Sequence, residues 1–140
     1  MSLASVLLPL FVQVALTFVL LLATGNTRVG AVARKEVKVS DVALGQHNWP
    51  ARIMQIGNSY NNQLQLPVLF YVLVTLAWIT RKADLLFVVL SWVFVISRIV
   101  HARIHTTTND MRVRFYAFAS GAFILLIMWA IFALRILLAF

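Results

Sequence analysis

Hydrophobic and polar positions alternate along this chain in four long apolar segments broken by polar stretches. The segments cover about residues 3–23, 49–80, 85–105 and 113–139, with a polar stretch at 24–48. About 20 consecutive apolar residues are enough for a helix to cross a hydrocarbon core of about 30 Å. The pattern therefore predicts four membrane-spanning helices in one domain covering residues 1–140. The first contains Pro9 and has Gln13 as its most polar interior residue. No Lys or Arg precedes it, so it lacks the positive flank of a secretory signal peptide and reads as a retained span. Gly25, Asn26 and Gly30 then predict a break into a long polar loop. His47 lies beside Trp49 and Pro50, an interfacial anchor and helix start, where it reads as a solvated or capping residue.

The second segment departs from simple apolar periodicity. Between Arg52 and Tyr71 it begins like a water-soluble helix and ends like a membrane span, with no turn signal between. Gln55, Asn58, Asn62 and Gln65 recur three or four residues apart and so share one helical face. An unpaired amide in hydrocarbon costs about 2–7 kcal/mol, so this face must meet other helices or a wet cavity. Gly57 leaves room for the backbone of a neighbour, and Pro67 removes a bond to Gln63, predicting a kink where polar meets apolar.

The third segment also turns polar at one end. Arg98, His101 and His105 fall on one face, and Arg103 points elsewhere. An Arg at a bilayer centre costs about 2.5–3.5 kcal/mol on insertion scales, which marks Arg98 for an interhelical or functional role. The short turn at Arg81, Lys82 and Asp84 makes segments two and three antiparallel neighbours, so the cationic stripe meets the amide stripe at one membrane level. Donors without carboxylates suit an anionic ligand. Asn109 or Asp110 is an N-cap for the fourth helix, Ser120-Gly121 permits tight packing, and Trp129 and Arg135 fall towards the far interface. Arg112 and Arg114 read as ordinary flank charges. His101 and His105 lack a third ligand nearby, so no metal site is assigned.

Composition agrees with the membrane reading: 62% of residues are hydrophobic and 11% are charged. With no cysteine, disulfides and thiolate chemistry of the chain's own are excluded. The formal charge of +8 belongs to loops at a membrane surface, and no nucleic-acid partner is assigned. Basic residues gather in the first loop (Arg28, Arg34, Lys35, Lys38) and the third (Arg112, Arg114, with Arg103 close by). The positive-inside bias puts those loops in the cytoplasm and both termini outside. Lys35 and Arg112 then face the cytoplasm, and Arg81 and Phe140 the other side.

Four spans, a second segment reading N-N-Q-L-Q-L-P-V-L-F-Y, and a third reading R-I-V-H-A-R-I-H before T-N-D-M-R-V-R resemble the MAPEG family. These are membrane-associated proteins in eicosanoid and glutathione metabolism, and the nearer likeness is to the bacterial branch. The resemblance covers Arg52 to Arg114, with the fourth span matching in character. It implies a left-handed all-α four-helix bundle that forms homotrimers in a bacterial inner membrane. It also implies glutathione bound between subunits near the cytoplasmic face, held by polar residues of the second helix and by arginines. Asn61 or Asn62 takes the place of the family's Asn, Pro67 matches its Pro, and Arg98 fits its third-helix Arg. Gln65 stands where the family has an acid, and His101 where it often has Tyr.

The candidate set is Arg98 as the catalytic residue, stabilising a thiolate, with Asn58, Asn61, Asn62, Gln65, His101 and His105 as ligand contacts. Three functions fit. The first is a glutathione-dependent transferase or peroxidase acting on lipophilic electrophiles, with membrane lipid and copies of itself as partners. The second is a non-catalytic trimer binding another anion or partner proteins. The third, a small multidrug-type transporter, ranks last because the first helix has no carboxylate to couple protons.

Overall fold

The computed structural model describes residues 1–45 and 48–139. The readings made for His47 and Phe140 lie outside these residues. The described chain is helical throughout, without strands: α1 (Leu3–Ala33), a short α2 (Val39–Val42), α3 (Ala51–Asn62), α4 (Leu66–Ile79), α5 (Leu85–Thr106) and α6 (Met111–Leu137). Four helical units are long and apolar enough to cross a membrane, with α3 and α4 together forming the second. The third and fourth spans fall within two residues of their expected limits.

The first span differs from expectation. It continues through Gly25, Asn26 and Gly30 to Ala33. Each helical Gly costs about 1 kcal/mol relative to Ala, so something must offset the loss. The hydroxyls of Thr24 and Thr27 donate to the carbonyls of Leu20 and Ala23, each at 2.7 Å, and so satisfy themselves inside the helix. Arg28 packs its guanidinium over the Trp49 ring, 5.1 Å from the centroid. The same guanidinium fills the space at Gly57, where an added Cβ would lie 2.9 Å from Arg28 Nη2. Gly57 thus makes room for a side chain and not for a backbone. The helix ends where Glu36 N–H donates to the Ala31 carbonyl and Lys35 takes φ 59°.

The second span is interrupted where only a kink was expected. Gln63, Leu64 and Gln65 N–H groups donate three residues back, to Tyr60, Asn61 and Asn62, tightening and ending α3. Pro67, having no N–H, then stands in the first turn of α4, where none is needed. The core lies below this break. Phe70, Leu73, Val74 and Ala77 of α4 pack on Phe87, Val88, Phe94 and Val95 of α5, with Val6, Leu125 and Met128 closing it. Phe70 and Phe94 stack at 4.8 Å. Outward-facing Phe11, Phe18, Leu22, Ile79 and Leu126 are exposed, as a lipid-facing surface requires.

The α5–α6 connection is capped as the sequence predicts, with Asp110 taking the N-cap. Its carboxylate accepts from the Arg112 and Val113 N–H groups, while Asn109, at φ 51°, accepts from Arg114 Nη1 at 2.7 Å. Gly121 lets α6 close on α5, because a Cβ there would lie 2.7 Å from Ser97 Oγ.

Candidate functional site

The broken second span creates the polar end of the bundle. Ending α3 at Asn62 frees backbone carbonyls that a continuous helix would have used. Arg98 reaches across from α5 and donates Nη2 to the Asn62 carbonyl at 3.3 Å and to Asn62 Oδ1 in a short contact. One residue further on, Gln63 donates to the Ser59 carbonyl at 3.1 Å and accepts from Gln13 of α1 at 2.9 Å. Helices α1 and α5 therefore grip adjacent residues of the break from two sides. Gln13, Gln63 and Arg98 are all fully or almost fully buried.

Arg98 is an unusual cation. It is 0% exposed, and its Nε and Nη1 have no hydrogen-bond partner. Its described partners are the two Asn62 oxygens, with no carboxylate, and the Phe118 ring lies 5.9 Å from the guanidinium carbon. His101 and His105 continue its face, with ring centroids 5.6 Å apart and His101 5.8 Å from Phe118. Both imidazoles leave a buried Nδ1 unpaired. Arg103 on the opposite face is exposed.

Beside this cluster opens a cleft of about 540 Å³ lined by Asn58, Asn61, Asn62, Gln65, His101 and His105. Every candidate ligand contact from the sequence thus falls on one cavity. Arg98 stands just behind the lining and reaches it through Asn62. Gln55, on the same amide face, instead donates to the Thr107 carbonyl at 3.0 Å and ties α3 to the end of α5.

The opposite wall is α6, which sequence reasoning missed: Met111, Arg114, Phe115 and Phe118 complete the lining. Their spacing of three or four residues on one helical face is the signal that identifies them. Arg114, read as a flank charge, is a half-buried wall residue. The Gln13–Gln63 pair was also missed, although Gln13, a lone amide in an apolar span, demands a partner. The lining contains no acid, and among the described residues no group of three His, Cys, Asp or Glu forms a metal-sized cluster. Amide donors, two imidazoles and two guanidinium groups without a counter-charge make a cavity suited to an anion, with an aromatic wall for apolar matter.

Fold and site together define a four-span α-helical membrane protein with an anion-suited cleft at one end of its bundle. A family model describing the MAPEG family matches residues 6–134 of the 140, and the chain belongs to that family. No curated protein and no solved structure matches it.

Proposed function

We propose that the cleft binds glutathione and that the protein joins glutathione, through its thiol sulfur, to lipophilic electrophiles. The observation that carries this reading is the buried, carboxylate-free Arg98 behind an amide-lined cleft. A cation near a thiol favours the thiolate, and one pKa unit corresponds to about 1.4 kcal/mol. The thiolate attacks the electrophilic carbon, a C–S bond forms, and the leaving group departs with its electron pair. With a lipid hydroperoxide, two thiols supply the electrons that reduce it to alcohol and water, yielding the disulfide. Phe115 and Phe118 offer the apolar substrate a wall continuous with the membrane-facing side of α6. Asn58, Asn61, Asn62 and Gln65 hold the peptide by its amides and carboxylates, and His101, His105 and Arg114 supply further donors.

In this reading the assembly is a homotrimer, and a neighbour closes the open side of the cleft. The cleft faces the cytoplasm in an inner membrane with both termini outside, from the basic loops at its end of the bundle. Titration of the purified protein with glutathione, followed by calorimetry and thiolate absorbance, tests the function. Arg98→Ala should weaken binding and lower the thiolate fraction about tenfold. Gln65→Glu should tighten binding by supplying a charged partner for the ligand's ammonium. If neither change alters binding in an intact oligomer, the glutathione reading fails.

A second reading has its own support. Arg98 spends a donor on the last carbonyl of α3, that of Asn62, as a structural clasp would. A non-catalytic member of the family would then lose stability with Arg98→Ala while showing no thiolate signal in the parent protein.

A further inference from the structure

Arg98 is fully buried and takes no part in lining the cleft, whereas Asn62 lines it and accepts from the guanidinium. Among the described residues, Asn62 is the lining residue that is hydrogen-bonded to Arg98. Phe118 also borders the guanidinium carbon, at 5.9 Å, but a ring holds no hydrogen bond that an anion could take over. Gly121 packs on the Arg98 stem, where an added Cβ would lie 3.8 Å from Cδ. An anion entering the cleft therefore meets the Asn62 side chain before it meets the cation.

We infer that Asn62 is a latch that selects what reaches Arg98: its amide oxygen holds the guanidinium back from the cleft, and an anion gains the cation by displacing that oxygen from Nη2. The inference rests on the reading that the cleft takes an anionic ligand. Three features support it. Among the described residues, the Asn62 side chain makes no hydrogen bond except the one to Arg98, so a single bond holds it in place. Its departure does not part the helices, because Nη2 also donates to the Asn62 backbone carbonyl at 3.3 Å. That carbonyl accepts the Gln65 N–H as well, again at 3.3 Å, so the end of α3 stays closed. The exchange is also selective. An amide oxygen offers the buried cation only a dipole, whereas a carboxylate or sulfate oxygen brings the opposite charge. Nη1, in the same fork, is unspent, so an anion arriving at Nη2 has a second donor to take. A neutral ligand gains no more than the amide it must displace.

Two substitutions of opposite sign test the latch. Asn62→Ala removes the side chain and leaves the backbone carbonyl that anchors Arg98. Asn62→Asp keeps the shape and sets a permanent carboxylate against the guanidinium. The purified full chain and both variants are titrated in detergent with sodium sulfate and, separately, with glutathione, and binding is read by calorimetry. Sulfate is the deciding probe, because it needs no contact from the amide that Asn62→Ala also deletes. Asn62→Ala should bind sulfate about fivefold more tightly than the parent, which corresponds to losing a competing hydrogen bond of about 1 kcal/mol. Asn62→Asp should bind it at least about tenfold more weakly and unfold at a higher temperature, since its carboxylate pairs a buried cation. Sulfate affinity that is unchanged or lowered in Asn62→Ala overturns the latch and makes Asn62 an ordinary ligand contact. So does an Asn62→Asp variant that binds sulfate as the parent does, a readout that holds even where the alanine variant does not fold. A parent that binds neither anion sinks the latch and the glutathione reading together. The expected sulfate responses without any glutathione binding support the latch and remove the glutathione reading alone.

Discussion

The two ends of this bundle each hold an arginine that reaches between helices, and they treat it in opposite ways. Arg98 is fully buried and, among the described residues, donates to neutral oxygens of Asn62, leaving two donor nitrogens unspent. Arg135 is partly exposed, pairs with Asp84 at 2.8 Å and caps the Lys82 carbonyl. The Arg135 pair completes a turn at a membrane boundary, where water shares the cost of charge. The Arg98 arrangement leaves charge uncompensated inside the bundle, beside a cleft. A cation kept at such cost, without a carboxylate, is poised to meet an anion from outside the chain.

Substituting each arginine in turn is the strongest way to break that contrast. Arg98→Ala should destabilise the detergent-solubilised protein by about 3–5 kcal/mol, because it leaves a cavity and strips Asn62 Oδ1 of its donor and the Asn62 carbonyl of one of two. Arg135→Ala should cost about 0–1 kcal/mol, as partly exposed ion pairs do. Thermal unfolding of the two variants side by side decides the matter, and equal losses would erase the distinction between the ends.

The clasp on the α3–α4 break offers a sharper test of the polar end. Gln13→Leu leaves the buried Gln63 oxygen unpaired and should cost about 1–3 kcal/mol. Adding Gln63→Leu removes that oxygen as well, so the double variant should cost less than the sum of the two single variants in a denaturation cycle. Additivity would mean that the two amides act independently and that the break is held by Arg98 and Pro67 alone.

A packing change that spares every polar group comes next in size. Gly121→Ala places a Cβ 2.7 Å from Ser97 Oγ and should cost about 1–3 kcal/mol by forcing α6 from α5. Since Phe118 rides on the same helix near Arg98, the change should also loosen the cleft wall. Ser97→Ala in the same chain removes the clashing oxygen and should recover part of the loss. Failure of that rescue in thermal unfolding would mean that the clash lies elsewhere.

The smallest effect expected is a pH dependence at the far end. Burial at the turn pushes the Asp84 carboxyl up, but this is outweighed by the hydrogen bonds from Arg135 and the Phe87 N–H and by the Arg135 charge, which together hold it below the usual range. A carboxyl depressed in the folded state adds stability above its unfolded pKa of about 3.9, and that contribution is lost as pH falls through the folded value. The advantage of the parent protein over Asp84→Asn should thus be constant, at no more than about 1 kcal/mol, from neutral pH to about 5. It should shrink below about pH 4. A difference that grows on acidification contradicts the pairing.

Much of the molecule was legible in the residues alone, and for a definite reason. Span number, helix limits for α5 and α6, the Asp110 cap and the common face of Arg98, His101 and His105 follow from local rules: length against membrane thickness, side-chain period and cap chemistry. The grouping of Asn58, Asn61, Asn62, Gln65, His101 and His105 around one cleft was also readable, because a short turn forces the second and third spans to be antiparallel. Tertiary contact decided the rest. Gly25 and Gly30 signal a loop, yet α1 runs on because Arg28 finds Trp49 and the space at Gly57, partners far away in sequence. The α3–α4 break became a full interruption where Arg98 takes the Asn62 carbonyl that a continuous helix would have kept and Gln13 holds the neighbouring Gln63 side chain. The α6 wall of the cleft depends on how α6 turns about its axis, which Gly121 against Ser97 sets. Periodicity states which residues share a face. Which neighbour that face meets, and therefore which polar groups find partners, is a property of the packed bundle.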